Sequence, residues 1–195
     1  MFPYPQTRYS SFPTITVALI IANVAVYVAE QIGGDQVLYL LAQSGVYFFQ
    51  AHYYWQPLTS MFYHFGPAHI LFNMFGLFYF GRLNENNFKR WQYLAIYFGS
   101  GLLGNVVSLY LLPPDIPSGG ASGAIFGLVG SYVAIERKAN HVIAGLFYAL
   151  YIFLLSSGPG VNIYAHLFGL IGGVLLGFVF TGIRSAGRSG DEYPR

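Results

Sequence analysis

Apolar residues in this chain gather into long runs separated by short polar breaks, the pattern of helices dissolved in lipid rather than of helices with one wet face. A helix needs about 20 predominantly apolar residues to cross the hydrocarbon core of a bilayer. On that basis six spans are expected: Thr14–Ala29, Pro67–Leu83, Trp91–Leu112, Gly119–Ile135, Val142–Ser156 and Ile163–Ile183, the fifth being the shortest. The expected fold class is all-α, a polytopic transmembrane helical bundle. It has a short tail over 1–12, a six-span core over 13–184 and a tail over 185–195. That last stretch, with Gly187, Gly190, Asp191 and Glu192, reads as solvated and flexible. The apolar run after Phe12 has no small-residue cleavage site, so the first span is expected to be retained rather than removed as a secretory signal.

The connections differ in kind. Arg8 precedes span one, Arg82 at the end of span two is followed by Lys89 and Arg90 before span three, Arg137 and Lys138 lie between four and five, and Arg184, Arg188 and Arg195 follow span six. All nine basic residues thus fall on one side, which the positive-inside rule makes cytoplasmic, with both termini there. The first outer connection, 30–66, is the longest and carries Tyr39, Tyr47, Phe48, Phe49, Tyr53, Tyr54 and Trp55. Such a loop is expected to lie in the membrane interface rather than in water.

Composition agrees with the pattern. Hydrophobic residues make up 55% of the chain and charged residues 8%, against roughly 25% charged in soluble domains. The net charge of +2 is too small and scattered for a nucleic-acid partner. The absence of cysteine removes both a disulfide framework and a thiol nucleophile.

Against this background four polar side chains within spans stand out: His69 and Asn73 on span two, Ser122 on span four and His166 on span six. With the derived topology these three spans run in the same direction, and all four residues sit in the outer part of their helices. Gly123, Gly127 and Gly130 form a small face on span four, and Ala165, Gly169, Gly173 and Gly177 form one on span six. Small stripes let helices approach closely in lipid. If the stripes face one another in register, Gly123 opposes Ala165, and Ser122 and His166 come together at one depth.

Taken singly, each has a plainer explanation: a membrane serine usually bonds its own helix, and His166 or Asn73 would serve as interhelical glue. As a set they suit nucleophilic catalysis. A serine hydroxyl needs a base to take its proton, and histidine does that. Developing charge on an oxyanion needs donors, which the Ser122 N–H at a helix start and two side chains four apart on one helix face, His69 and Asn73, would supply. No acidic residue lies in the outer half of any expected span, so a dyad is expected rather than an Asp-His-Ser triad. Phe126, one turn after Ser122, is placed to pack against the imidazole. His52, His64 and His69 invite a metal reading, but the spacing is not HExxH and no carboxylate accompanies it, so no metal is expected. Gly120-Ala121-Ser122-Gly123-Ala124 is not a G-x-S-x-G elbow, and the glycine-rich stretch 119–130 has neither a preceding strand nor a P-loop lysine.

At this point the residues resemble the rhomboid intramembrane serine proteases. The matching pieces are His64-x4-His69-x3-Asn73, Gly120-Ala121-Ser122-Gly123, and Ala165-His166-x2-Gly169-x3-Gly173, in the family's order and on the expected spans. The resemblance implies Ser122 as nucleophile, His166 as general base, His69 and Asn73 as oxyanion-hole donors beside the Ser122 N–H, and His64, Phe126, Gly120 and Gly169 as supporting residues. It implies single-span membrane proteins as substrates, cut near the outer end of the span, with no cofactor and no metal. The 30–66 loop would be membrane-embedded, and span five with the outer loop after it would form the gate. Two departures are visible: Trp55-Gln56 where the family often has Trp-Arg, and Phe126 where tyrosine is common. Without added soluble domains or a seventh span, the chain is similar to the minimal prokaryotic form, which implies a multi-pass protein of a prokaryotic plasma membrane.

The rival from another class is a catalytically inactive rhomboid-like binder of transmembrane helices. Such proteins characteristically lack the serine or the histidine, and this chain keeps both. A solute transporter is disfavoured because the polar residues form one shallow layer instead of a path across the membrane, with no inverted repeat.

Overall fold

The computed structural model describes residues 12–135, 143, 147 and 162–189. Helix α1 runs Thr14–Gly33, α2 Asp35–Leu41, α3 Gln56–Thr59, α4 Pro67–Asn87, α5 Arg90–Leu111, α6 Ser122–Ile135 and α7 Ile163–Ser189. Between α2 and α4 the chain also makes a wide turn at Val46–Gln50 and a tight one at Ser60–Phe62. Among the described residues there is no strand, only an isolated antiparallel bridge between Gln43 and Ser118.

The spans of α1, α5 and Ile163–Thr181 of α7 are long and apolar enough to cross a membrane. Helix α4 has the length, 21 residues, but carries His69, Asn73, Arg82, Asn84 and Glu85 and falls short in hydropathy. The expected fifth span, Val142–Ser156, lies outside the described residues except for Ile143 and Phe147. Four boundaries differ by three residues or more from the hydropathy reading. Helix α4 continues past Leu83 to Asn87. Helix α1 continues four residues past Ala29, which takes Glu30 into its last turn. Helix α7 continues to Ser189, so its backbone is helical where a solvated tail from Ser185 was expected. Helix α6 begins at Ser122 rather than Gly119, because Gly120 sits at φ +126 and cannot belong to a right-handed helix.

That last difference leaves a stretch of non-helical backbone directly before Ser122. Ser118, Gly120 and Ala121 are buried there, so this backbone must find hydrogen bonds outside the helix. It finds them in the 34–66 connection. Gln43 and Ser118 exchange both backbone bonds, Gln43 N–H to Ser118 O at 2.9 Å and Ser118 N–H to Gln43 O at 2.8 Å. Gly120 N–H donates to Ser60 O at 2.8 Å and Val46 N–H to Pro114 O at 2.9 Å.

Glycine contacts fix how the helices pack. Hypothetical Cβ atoms on Gly123, Gly130 and Gly177 would meet Ala165, Leu170 with Val174, and Ser131 with Ala134, so contact positions on α6 and α7 rise together and the two helices run parallel. A Cβ on Gly169 or Gly173 would overlap the backbone carbonyl of Gly123 or Gly127, which is how closely the two main chains approach. Helix α5 runs against them, with Gly104 at Ala165 and Gly99 at Leu176. Helix α1 is antiparallel to α4, and Glu85 of α4 caps it, accepting the Ile15 and Thr16 N–H groups at 2.9 Å each.

Candidate functional site

Ser122 is the first residue of α6, and His166 is the fourth of α7. Because the two helices start together and run parallel in close contact, these side chains meet: His166 Nε2 lies 2.7 Å from Ser122 Oγ. Both residues are buried. Phe126, one turn along α6, lays its ring flat on the imidazole, with centroids 4.5 Å apart and planes 14° from parallel. Gly169, one turn beyond His166, supplies the close backbone approach described above.

The start of α7 is held by a residue that the hydropathy reading passed over. Asn162 accepts the Ala165 N–H through its side-chain oxygen at 2.9 Å, an N-cap, and its carbonyl accepts the His166 N–H at 3.2 Å. Its amide group donates to Ser108 Oγ at 2.7 Å and Ser118 Oγ at 3.0 Å, tying α7 to α5 and to the chain entering α6. The signal was present in the sequence, since an asparagine immediately before an apolar run is a preferred helix start.

On the other side of Ser122 stands α4. A Cβ on Gly120 would lie 2.8 Å from His69 Nε2 and 3.6 Å from Ser122 Oγ, so the imidazole, the hydroxyl and the bare Gly120 backbone surround one small volume. The positive φ and the His69 ring each exclude a side chain at Gly120. His69 Nδ1 accepts the Phe65 N–H at 3.4 Å, so a neutral His69 carries its proton on Nε2, the nitrogen that faces the Gly120 backbone. Asn73, the second polar residue on this helix face, spends one amide hydrogen on His69 O at 2.8 Å and retains the other. His64 is packed edge-on against His69 with centroids 5.0 Å apart. Its Nδ1 faces Phe62 O at 3.0 Å, and burial pushes its pKa down to about 3, so it is neutral. His52 is turned away into the loop, 2.7 Å from Tyr54 OH, and among the described residues no three His, Asp or Glu side chains converge as a metal site would require.

The long connection is anchored rather than loose. Gln56, which stands where the family often has arginine, is fully buried; its amide donates to Tyr39 O at 2.8 Å and its oxygen receives the Ser44 N–H at 3.4 Å. Gln43 donates to Ser108 Oγ and Asn105 O, and Asn105 donates to Pro57 O and Ser60 Oγ, so this connection is bolted to α5 just beneath the Gly119–Gly120 turn. Outward it presents Phe49, Tyr54 and Trp55, all exposed. The expectation of no acid in the outer half of a span is corrected by Glu30, which the longer α1 carries in its last turn. Its carboxylate receives the His64 N–H.

Apolar helices of spanning length, close-packed through glycine around a buried serine–histidine contact, define an integral membrane protein built as a helical bundle. Comparison with known proteins names the class. The family model for the Rhomboid domain matches residues 51–183. The chain is 36% identical over 133 residues to YdcA of Bacillus subtilis (strain 168), covering 65% of this chain and 67% of that protein. It is 28% identical over 180 residues to Rhomboid protease GlpG of Haemophilus influenzae, covering 87% of this chain and 92% of GlpG. It is 33% identical over 127 residues to Rhomboid protease GluP of Bacillus subtilis (strain 168), covering 62% of this chain but only 25% of GluP. The chain belongs to the rhomboid family of intramembrane proteases.

Proposed function

We propose that this protein is an intramembrane serine endopeptidase in which Ser122 is the nucleophile and His166 the general base. The observation that carries the reading is the 2.7 Å approach of His166 Nε2 to Ser122 Oγ in the buried interior of the bundle. The Ser122 hydroxyl donates its proton to Nε2 as the oxygen attacks a peptide carbonyl, and the imidazolium returns it to the leaving amine. The first N–H groups of α6 have no partner within the helix and carry its positive end, so they face the developing oxyanion. His69 Nε2–H and the remaining Asn73 amide hydrogen add side-chain donors at the same point. Phe126 holds the imidazole plane, while Gly120 and Gly169 leave room for the reacting atoms and for the α6–α7 approach.

The substrates are single-span membrane proteins, cut near the outer end of the span after local unwinding, with water reaching the site through a cavity open to the outer face. Both termini lie in the cytoplasm of a prokaryotic cell whose plasma membrane holds the protein, and the reaction uses no cofactor and no metal. The test is cleavage of a model single-span protein, carrying a small residue near the outer end of its span, by the full chain in proteoliposomes. The expected result is specific cleavage that falls to background in Ser122→Ala and in His166→Ala. Undiminished cleavage by Ser122→Ala would sink the assignment.

A further inference from the structure

Glu30 stands out as a buried carboxylate at the end of an otherwise apolar helix, only 5% exposed. Burying a charge is costly unless it is well bonded, so a carboxylate held here has a task. The donor it meets among the described residues is a single backbone group, the His64 N–H, shared between its two oxygens at 3.1 and 3.3 Å. An acid therefore grips the main chain at one point in the four residues between the Ser60–Phe62 turn and α4.

That point lies directly before the groups that hold His69. The Phe65 N–H donates to His69 Nδ1 at 3.4 Å, and the Phe65 ring lies nearly parallel to the His69 ring, 11° between planes and 6.3 Å between centroids. The His64 ring closes the edge at 5.0 Å, its own orientation set by Nδ1–H to Phe62 O. Residues 64–65 thus control both the plane of the His69 ring and which nitrogen keeps the proton. A carbonyl at 65 turned toward Nδ1 in place of the N–H would select the opposite tautomer and leave Nε2 a lone pair facing the oxyanion.

We propose that Glu30 is a positioning residue for the reaction: by holding the His64 N–H it fixes the 64–65 backbone so that the Phe65 N–H selects the His69 tautomer with its Nε2 hydrogen aimed beside Ser122. This rests on the serine-protease reading above. The Glu30 carboxylate touches no reacting atom and acts only through His69. Glutamine at this position keeps an acceptor for the same N–H; leucine removes it.

The experiment is saturable inactivation of the detergent-solubilised full chain by a fluorophosphonate, which needs no natural substrate and separates the limiting rate from the affinity. Loss of a whole oxyanion donor costs about 10²–10³ in rate, so misplacing one in Glu30→Leu should lower the limiting rate by about tenfold, with affinity unchanged. Glu30→Gln should restore most of that rate. In a His69→Ala background Glu30→Leu should cost nothing further, since the group it positions is gone. If Glu30→Leu does not accumulate as folded protein, Glu30→Asp, which withdraws the acceptor by one methylene, is measured in the same way. A wild-type limiting rate in Glu30→Leu, or an equal loss in the His69→Ala background, would overturn the proposal. Absence of any Ser122 adduct in the wild type would instead strike the protease reading itself.

Discussion

At the scale of single residues the site turns on three side chains: the Phe126 ring lies flat on the His166 imidazole, whose Nε2 reaches Ser122 Oγ. His69, Asn73, Ser122 and His166 could be picked out because a side chain that costs free energy in hydrocarbon needs a reason to be there, and the structure brings Ser122 and His166 to 2.7 Å. Asn162, Glu30 and Gln56 were less legible. Each does its work through a main-chain group whose position is a property of the fold, so nothing in the local pattern marks it beyond the helix-start preference of asparagine. Phe126 lies between these cases, since its ring was foreseeable but its 14° stacking angle was not. Aromatic stacking is worth about 0.5–1.5 kcal/mol, and 1.4 kcal/mol is about tenfold in rate. Phe126→Leu, which keeps apolar bulk but loses the flat face, should therefore lower kcat on the model substrate by up to about tenfold with little change in thermal stability, while Phe126→Tyr should stay near wild type. A Phe126→Leu enzyme at full activity would mean that the imidazole is oriented by something else.

At the scale of elements, the hydropathy pattern located the described spans, and the glycine stripes indicated which two helices would touch. The ends escaped it. Helix α6 starts three residues late because of a backbone conformation at Gly120, and α1 and α7 overrun because helical geometry does not stop where hydropathy falls. Helix α4 is the sharpest case: its polar residues, the reason to notice it, are also what lower its hydropathy. The α6–α7 contact makes a distinguishing prediction. A Cβ on Gly173 overlaps the Gly127 carbonyl, with rigid backbone on both sides, so Gly173→Ala should destabilise the bundle by about 1–3 kcal/mol, as overpacking does. Gly99, also mid-helix, would place its Cβ in ordinary contact, 3.4 Å from the mobile end of Leu176. Gly99→Ala should be neutral or stabilising, since glycine in a helix interior costs about 1 kcal/mol relative to alanine. Thermal unfolding in detergent separates them; equal effects would mean that the α6–α7 seam is looser than described.

At the scale of the whole molecule, the proposed reaction sets one problem: hydrolysis needs water and charge stabilisation, and hydrocarbon supplies neither. Helix α6 starts at Ser122, beside the imidazole, and its first N–H groups have no partner within the helix. The anchored 34–66 connection satisfies the backbone that leads to it, and parallel α7 delivers an imidazole to the same level. Composition and charge segregation made the membrane setting readable at once. The buried polar scaffold of Gln43, Asn105, Ser108 and Asn162 could not be read, because its partners are far apart in sequence and meet only after the helices pack. The claim that everything else depends on is that Ser122 is an activated nucleophile, and the most direct measurement is fluorophosphonate labelling of the purified chain, read by intact mass and peptide mapping. One adduct is expected, on Ser122, and it disappears in His166→Ala. A folded preparation that takes up no label, under conditions where an ordinary serine hydrolase labels fully, would contradict it.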